Sequence, residues 1–481
     1  MARGARHHLV LEAPKSGVGP ARAVKLPGST WHDHLVMLLH IAAEIEHGLM
    51  AQYLYAAYSL GGPDVSDRHR QALVKRWQDA ILLVAKEEMG HLLTVQNILT
   101  LLGAPVNLER SDYPWDTPYY PCPFSLEKLT KSSLASYVFV EMPPHIEDVL
   151  RQQPQLEKRF ERFLKTDKAE IERLVHERAP ADRLHLVAVV YDEIIELISD
   201  EARIPDSAFQ DDTYALQAAW DDWGRGYGPD PYLLNASGTT VGPPQRQKDA
   251  NLLIMRVATR TEAVAALKAV SEQGEATHLK RSDKGEPSHF ERFLEIYQNF
   301  PDAKDWSPAR DMASNPSVRK DGGAGTTYIE AAQARGWGTL FNYRYRMLLT
   351  SLAHTFRLAR GARAGEPSLR GMTMHKVFGE MYNLKALSGF LVAQPLRNGP
   401  HKKKHPQFAG PPFEMPYSLT LPESPADIWR LHRDLVETSV ALSQELLATA
   451  SPDEAAYLRA LIELDGGTTS WINKILGQDH A

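Results

Sequence analysis

The segment KEEMGHLLTVQNIL, residues 86–99, carries a glutamate and a histidine within an apolar helical stripe. Glu88 and His91 fill the two positions between Val84 and Val95, which continue the stripe on either side. Their three-residue spacing places both side chains on one face of a helix. Because burying a charge without a partner is costly, we expect other segments to supply matching groups.

A second acidic residue lies in an inward row of the preceding helix. Leu39, Glu46 and Tyr53 follow one another at seven-residue steps, beside rows of leucine and alanine. A glutamate from one helix and Glu-x-x-His from its antiparallel neighbour form half of a carboxylate-bridged dimetal site, in which an imidazole caps each cation. We therefore predict that Glu46, Glu88 and His91 bind metal. Tyr53 is the candidate catalytic residue beside them, with a core tyrosine whose hydroxyl is hydrogen-bonded as the alternative.

Later segments offer several candidates for the other half of such a site. The stretch SEQGEATH contains Glu272, Glu275 and His278, and Glu275 with His278 repeats the spacing of the first pair. The stretch GEPSHF contains Glu286 and His289 at the same spacing. Spacing alone does not choose between them.

A further carboxylate is expected from the helical segment RLHLVAVVYDEIIELISDEA. Glu193 lies in line with Leu186, Val190 and Leu197, so this periodicity predicts that it faces inward. Glu141 in the stretch FVEMPP is the alternative.

The elements that must position these residues are almost entirely helical. Helical patterns are predicted over residues 31–60, 69–102, 125–142, 155–178, 183–202, 261–278, from 289 onward, and over 328–361, 368–394, 424–449 and 452–476. Pro- and Gly-rich connections occupy 222–248 and 301–325, and no run of alternating strands is evident. We predict an all-α fold: a four-helix bundle within residues 30–300 and a C-terminal helical region, 326–480, packed on it.

Composition narrows the function classes. The net charge of -6 argues against nucleic acid as a partner. The single cysteine, Cys122, indicates a reducing compartment. The sequence contains neither a signal-peptide pattern nor a long apolar run, so we expect a cytoplasmic protein with a small-molecule substrate and no membrane partner. A homodimer is compatible with the sequence.

Several of these stretches resemble the ferritin-like superfamily. EHGLMAQYL and EMGHLLTVQNIL are similar to the first- and second-helix segments of bacterioferritins. A closer resemblance is to the ferritin-like domain of the iminophenyl-pyruvate dimer synthase family of bisindole pathways. It is carried by EIEHGLMAQYLYAAYSL, EEMGHL, FVEMPP, VSEQGEATH, SHFERFLEIY and FAGPPFE, and it covers roughly residues 30–415.

The resemblance selects among the open ligand positions. The second glutamate of EQGE and the histidine of SHF match family ligands, so the resemblance favours Glu275 and His289, followed by Glu272. That family also has a glutamate two residues before the tyrosine of the third bundle helix, where this chain has Val189. Glu193 one turn later, the alternative in FVEMPP, or no residue at all would then take its place.

The resemblance implies a diiron-type bundle in natural-product metabolism. The expected cofactor is two iron ions, with manganese as the alternative because both metals accept glutamate and histidine ligands. The expected function is that of an oxidase or oxygenase using O2 on a small amino-acid-derived metabolite. The alternatives are coupling of two imine units, metal storage or peroxide consumption, and a catalytically silent interaction role.

Overall fold

The computed structural model describes most of the chain. The described residues are 11–12, 22–23, 25, 27–115, 120–151, 154–179, 186–219, 222, 252–275, 287–302, 304–358, 368–398 and 407–477. The candidates His278 and Glu286 and nearly all of the predicted loop 222–248 lie outside these residues.

Two long antiparallel helices, α1 (Trp31–Ser59) and α2 (Arg68–Leu101), form the base of the fold. A capping box of Thr30 and Asp33 begins α1, so its first turn has satisfied backbone donors. His32 Nε2 lies 3.0 Å from the Leu102 carbonyl oxygen, which places the start of α1 beside the end of α2. The inward rows predicted from the sequence are buried in this pair.

Helices α7 (Val187–Ser199) and α8 (Arg260–Glu275) complete a four-helix bundle. Helix α7 packs on α1 and on α8, and α8 packs on α2, so the four helices surround one interior. The bundle predicted from the sequence is therefore present.

Shorter helices cover this bundle. They are α3 (Lys131–Val140), α4 (Ile146–Arg151), α5 (Pro154–Arg159), α6 (Lys168–His176) and α9 (His289–Asn299). Helix α3 packs on α6 and α9, and α9 contacts α2 and α8. The predicted helix 125–142 begins only at residue 131, because Thr130 caps it in a box with Ser133. The predicted helix 155–178 is divided by a π-helical turn, Phe163–Asp167.

Four long helices form the C-terminal region. They are α10 (Ala332–Thr355), α11 (Leu369–Leu391), α12 (Pro425–Leu447) and α13 (Pro452–Ile475). Helix α10 packs on α11 and α12, and α12 packs on α13. Buried side chains of these helices and of the N-terminal bundle belong to one continuous apolar core. The boundary between the two predicted domains remains a prediction.

Strands are confined to two short pairs among the described residues. Leu11–Glu12 pairs antiparallel with Arg22–Ala23, and Pro316–Ser317 pairs parallel with Thr327–Tyr328. The all-α prediction is confirmed. Within the described part of the chain, every helix is too short or too polar to span a lipid bilayer.

Candidate dimetal centre

Three side chains from the first two helices meet inside the bundle. Glu46 on α1 and Glu88 and His91 on α2 are all buried. One ligand atom from each lies within 4.8 Å of the others. The convergence predicted from helical spacing is therefore present in the structure.

A second group of three shares one member with the first. Glu88, Glu141 and His289 are buried, and one ligand atom from each again lies within 4.8 Å of the others. Helix α9 supplies the histidine, and the residue that ends α3 supplies the additional carboxylate. The Glu88 carboxylate thus stands between two sets of donors, as a bridging ligand does in a dimetal site.

The two histidines approach this shared carboxylate in the same way. His91 Nδ1 lies 2.9 Å from Glu88 Oε2 and 3.4 Å from Glu46 Oε2. His289 Nδ1 lies 3.2 Å from Glu88 Oε1 and 3.6 Å from Glu141 Oε2. The imidazole rings are stacked, with centroids 5.4 Å apart and planes inclined by 25°. Each Nδ1 therefore faces one oxygen of the shared carboxylate and one terminal glutamate.

The preference for Glu193 as the further carboxylate is corrected by the structure. Glu193 Oε1 lies 3.9 Å from His34 Nε2, and its side chain is 22% exposed. His34 precedes Glu46 by about three helical turns on α1, so this pair sits well away from the cluster. Helical periodicity predicted the face of α7 on which Glu193 lies, but it could not predict the position of Glu193 along the bundle axis. Glu141, the sequence alternative, lies at the cluster instead.

Two tyrosines hold the terminal glutamates. Tyr53 on α1 donates a hydrogen bond of 2.5 Å to Glu141 Oε1. Tyr191 on α7 donates one to Glu46 Oε1, a contact that sequence reasoning did not identify. Burial and the nearby carboxylates raise the pKa of Tyr53 well above its ordinary value, so its hydroxyl stays a donor. This geometry gives Tyr53 a positioning contact, and its predicted catalytic role remains a prediction.

Helix α8 approaches the cluster with its backbone. A methyl group placed on Gly274 would lie 3.4 Å from Glu141 Oε2 and 3.9 Å from His289 Nδ1. Glu272 is only half-buried and joins neither group of three. Glu275 ends the helix, and its side chain lies outside the described ones. Both glutamates thus remain predicted ligands that the described geometry does not place at the centre.

Residues that support the histidines form an outer layer. His289 Nε2 lies 3.0 Å from Glu87 Oε2, and Arg292 donates a hydrogen bond to the same oxygen. Burial alone would raise the pKa of Glu87, but the hydrogen bonds and charges of His289 and Arg292 outweigh it and lower that pKa. His91 Nε2 lies 3.0 Å from Gln273 Oε1. Sequence reasoning missed Glu87, although its place beside Glu88 in the EE pair was a usable signal.

Crowding of acids and imidazoles perturbs protonation in the cluster. Burial and the charge of Glu88 raise the pKa of Glu46 to about 7. Burial would lower the pKa of His91, but hydrogen bonds to Glu46 and Glu88 outweigh it and raise that pKa to about 10. Without a cation, protons bound by these acidic and imidazole groups therefore reduce the repulsion between the carboxylates.

Two buried polar atoms at the centre indicate that these residues suit a pair of metal ions. Glu88 Oε1 and His289 Nδ1 lie 3.2 Å apart, yet neither has a hydrogen-bond partner among the described residues. Unsatisfied buried polar atoms are rare and call for an unseen ion or water. Carboxylate oxygens and imidazole nitrogens are the donors that iron and manganese accept. The cluster fits a dimetal centre.

A large cavity lies elsewhere. It has a volume of about 1470 Å³ and is lined in part by His34, Met37, Ile41 and Glu44 of α1 and by Arg110. None of the five clustered side chains lines it, and its α1 residues occupy a different face from Glu46. Although this cavity is large, we therefore do not assign it as the entrance to the centre.

The chain matches the model of a known protein family. The family model described as Ferritin-like matches residues 39–298, more than half of the chain. The solved structure of a ferritin-like protein from Caulobacter vibrioides covers 74% of this chain and 96% of its own, with a TM-score of 0.39 and 15% identity.

Two curated proteins are similar in sequence. Dichlorochromopyrrolate synthase of Lentzea aerocolonigenes is 27% identical over 460 residues, which covers 88% of this chain and 39% of that protein. The 2-imino-3-(indol-3-yl)propanoate dimerase of Chromobacterium violaceum is 30% identical over 164 residues, which covers 28% of this chain and 15% of that protein. The chain thus spans less than half the length of either relative.

Proposed function

We propose that this chain, which belongs to the ferritin-like family, is a dimetal oxidoreductase acting on a small amino-acid-derived metabolite. One observation carries the proposal: the buried Glu88 carboxylate is shared by two groups that each contain a further glutamate and a histidine. A pair of cations in this cluster would need a bridging carboxylate, and each cation would need its own terminal ligands.

In this proposal, each ion has its own set of donors among the described side chains. Glu46, His91 and one oxygen of Glu88 would hold the first ion. Glu141, His289 and the other oxygen of Glu88 would hold the second. The site offers no sulfur ligand, and this mixture of oxygen and nitrogen suits iron, with manganese as the alternative.

The protein's own groups prepare the site for such chemistry. Tyr53 and Tyr191 fix one oxygen of each terminal glutamate, which leaves the other oxygen directed at the cluster. The apolar bundle around it excludes bulk water and strengthens each electrostatic contact. A bound iron pair would supply electrons for O2 reduction and open coordination positions. A methyl group on Gly274 would come into van der Waals contact with Glu141 and His289, so glycine at this position keeps α8 clear of both side chains.

The names of the two relatives support the proposed substrate class. One similar protein is named for dichlorochromopyrrolate synthesis and the other for dimerising a 2-imino-3-indolyl acid. The second name describes a 2-imino acid, which has the carbon skeleton of an amino acid. We extend that substrate class, and a role in natural-product biosynthesis, to this chain.

A second candidate function is the coupling of two imino acids, favoured by the words synthase and dimerase in those names. A catalytically silent site is less favoured. Position 189 has a valine where the resembling family has a glutamate, but Glu141 brings a carboxylate to the cluster. Metal storage is also less favoured, because it does not account for the four additional helices α10–α13.

Fe(II) loading under anaerobic conditions followed by O2 exposure tests the proposal. We expect the wild-type protein to consume O2 and His91→Ala and Glu88→Ala to lose that uptake, while Asp79→Ala, on the exposed part of α2, keeps it. A supplied aromatic 2-imino acid, with mass spectrometry of the products, separates oxidation of a monomer from formation of a dimer. O2 uptake that is absent from the wild type or unchanged in both site variants would contradict the proposal.

A further inference from the structure

The two halves of the centre contain the same ligand types but differ in the groups behind their histidines. We infer that the two metal positions are unequal, and that the position at Glu141 and His289 binds its ion more tightly than the position at Glu46 and His91. This inference rests on the proposed dimetal function and adds an order of loading to it.

The ligands themselves are closely matched. Each position has one terminal glutamate that accepts a tyrosine hydrogen bond, one histidine that presents Nδ1, and one oxygen of Glu88. All five clustered side chains are buried. Any large difference in affinity must therefore come from outside this set.

Behind His289 stands a carboxylate. Its Nε2 lies 3.0 Å from Glu87 Oε2, and the Glu87 side chain is 0% exposed. Arg292 forms an ion pair with the same oxygen. If Nδ1 binds a metal ion, Nε2 carries the remaining proton and donates a hydrogen bond to the Glu87 carboxylate.

Behind His91 stands a neutral amide. Its Nε2 lies 3.0 Å from Gln273 Oε1 on α8. The amide oxygen fixes the same ring orientation but carries only a partial charge. The two histidines thus share one tautomer and differ in the charge of the acceptor.

That difference acts directly on the metal bond. A carboxylate acceptor makes the opposite ring nitrogen a stronger electron donor, and removal of such a partner typically weakens metal binding about 10–100-fold. We expect the His289 position to fill first, with a dissociation constant lower by about tenfold or more. Glu87 acts through His289, so it is a positioning residue.

Anaerobic Mn(II) titration followed by native mass spectrometry and calorimetry measures both steps. We expect two ions to bind in two resolved steps. His289→Ala should remove the tighter step, and His91→Ala the weaker one. Glu87→Gln keeps a hydrogen-bond acceptor but loses the charge, so it should weaken the tighter step by about 10–100-fold and leave the other step unchanged.

A reciprocal variant and a control guard against a purely structural effect. Gln273→Glu places a carboxylate behind His91, so it should tighten the weaker step even if Glu87→Gln folds poorly. Glu295→Gln, an exposed change on α9, should alter neither step.

The outcomes are distinct. Two equal steps in the wild type, or equal weakening of both steps by Glu87→Gln, would overturn the inference and leave the dimetal proposal standing. A wild-type protein that binds no Mn(II) and no Fe(II) would overturn both.

Discussion

The terminal glutamates of the centre each depend on a single tyrosine hydroxyl. Tyr53 donates to Glu141, and Tyr191 donates to Glu46. Both acceptors are buried, so loss of either donor leaves a polar atom without compensation. The tyrosines therefore belong to the candidate metal site, although neither is proposed as a ligand.

Tyr53→Phe tests the role assigned to that hydroxyl. We expect a loss of about 1–3 kcal/mol in the free energy of unfolding, because a buried carboxylate loses its donor. Two Mn(II) ions should still bind, with weaker binding at the Glu141 position. Urea unfolding and metal titration measure these effects, with Tyr58→Phe on another face of α1 as the control. Unchanged stability and unchanged metal binding, together with loss of turnover, would assign Tyr53 a direct redox role instead.

Three clustered residues of α1 and α2 could be predicted from the sequence. Glu46, Glu88 and His91 follow from period and spacing, because one helix face fixes their common direction. Glu141 could not be placed that way, since it sits where α3 ends and its direction depends on the turn that follows. The choice between it and Glu193 needed the relative heights of α3 and α7 along the bundle.

The segment leading into α8 packs closely on α2 beside the centre. A methyl group on Gly90, between Glu88 and His91, would come within 2.8 Å of the Leu253 carbonyl oxygen. Thr94 Oγ1 donates to the same carbonyl at 3.0 Å. Asn97 Nδ2 donates to the Met255 carbonyl at 2.9 Å. These bonds clamp residues 252–255 onto α2.

Gly90→Ala should separate these elements. We expect a destabilisation of about 1–3 kcal/mol, because the backbone in contact cannot move aside as a side chain can. Gly379→Ala on α11 is the matched control, since nothing lies within 4 Å of the added methyl group there. It should be neutral or stabilising by about 0.4–1 kcal/mol. Equal stability changes in the two variants, measured by urea unfolding, would contradict the close packing of α2 on this segment.

The start of a helix could be predicted where the sequence contains a capping-box motif. Ser288 with Glu291 and Ser451 with Glu454 form capping boxes at the observed starts of α9 and α13. The late start of α3 was missed because its box uses Thr130 and Ser133, a weaker signal than a serine followed by glutamate. The π-helical turn before α6 has no comparable signature.

At the scale of the whole molecule, the C-terminal helices carry a buried histidine pair that links α10 to α12. His354 Nδ1 lies 3.0 Å from His432 Nε2, and their rings are stacked. Burial lowers the pKa of His354 to about 4 and, with the charge of His354, that of His432 to about 3. The folded protein thus keeps both rings neutral at pH values where the unfolded chain protonates them.

Acidification should therefore weaken the fold through this pair. Below the ordinary histidine pKa of about 6.5, the unfolded chain binds protons that the folded chain rejects, so stability falls as pH decreases toward 4. His432→Gln should reduce this slope by up to about 1.4 kcal/mol per pH unit between pH 6 and 4. Urea unfolding across that range measures it, with the exposed His69→Gln as control. An identical slope in wild type and His432→Gln would exclude the pair as a source of pH dependence.

The relation between the two helical regions could not be predicted from the sequence. Periodicity shows that α10–α13 each have an apolar face, but not which faces meet the N-terminal bundle. Arg110 makes one such unpredicted contact. It donates hydrogen bonds to the Phe413 carbonyl at 2.6 Å and to the Tyr345 hydroxyl at 3.2 Å. These partners are more than two hundred residues away in sequence, and no local pattern encodes such a contact.

The central claim is that one carboxylate, Glu88, serves two metal ions. Electron paramagnetic resonance of the protein loaded with two equivalents of Mn(II) tests it most directly, because a shared carboxylate couples the spins of the ions it bridges. We predict the spectrum of an exchange-coupled Mn(II) pair, lost in Glu88→Ala and retained in Asp79→Ala. The spectrum of isolated Mn(II) ions at full loading, or a coupled spectrum that survives Glu88→Ala, would contradict the account.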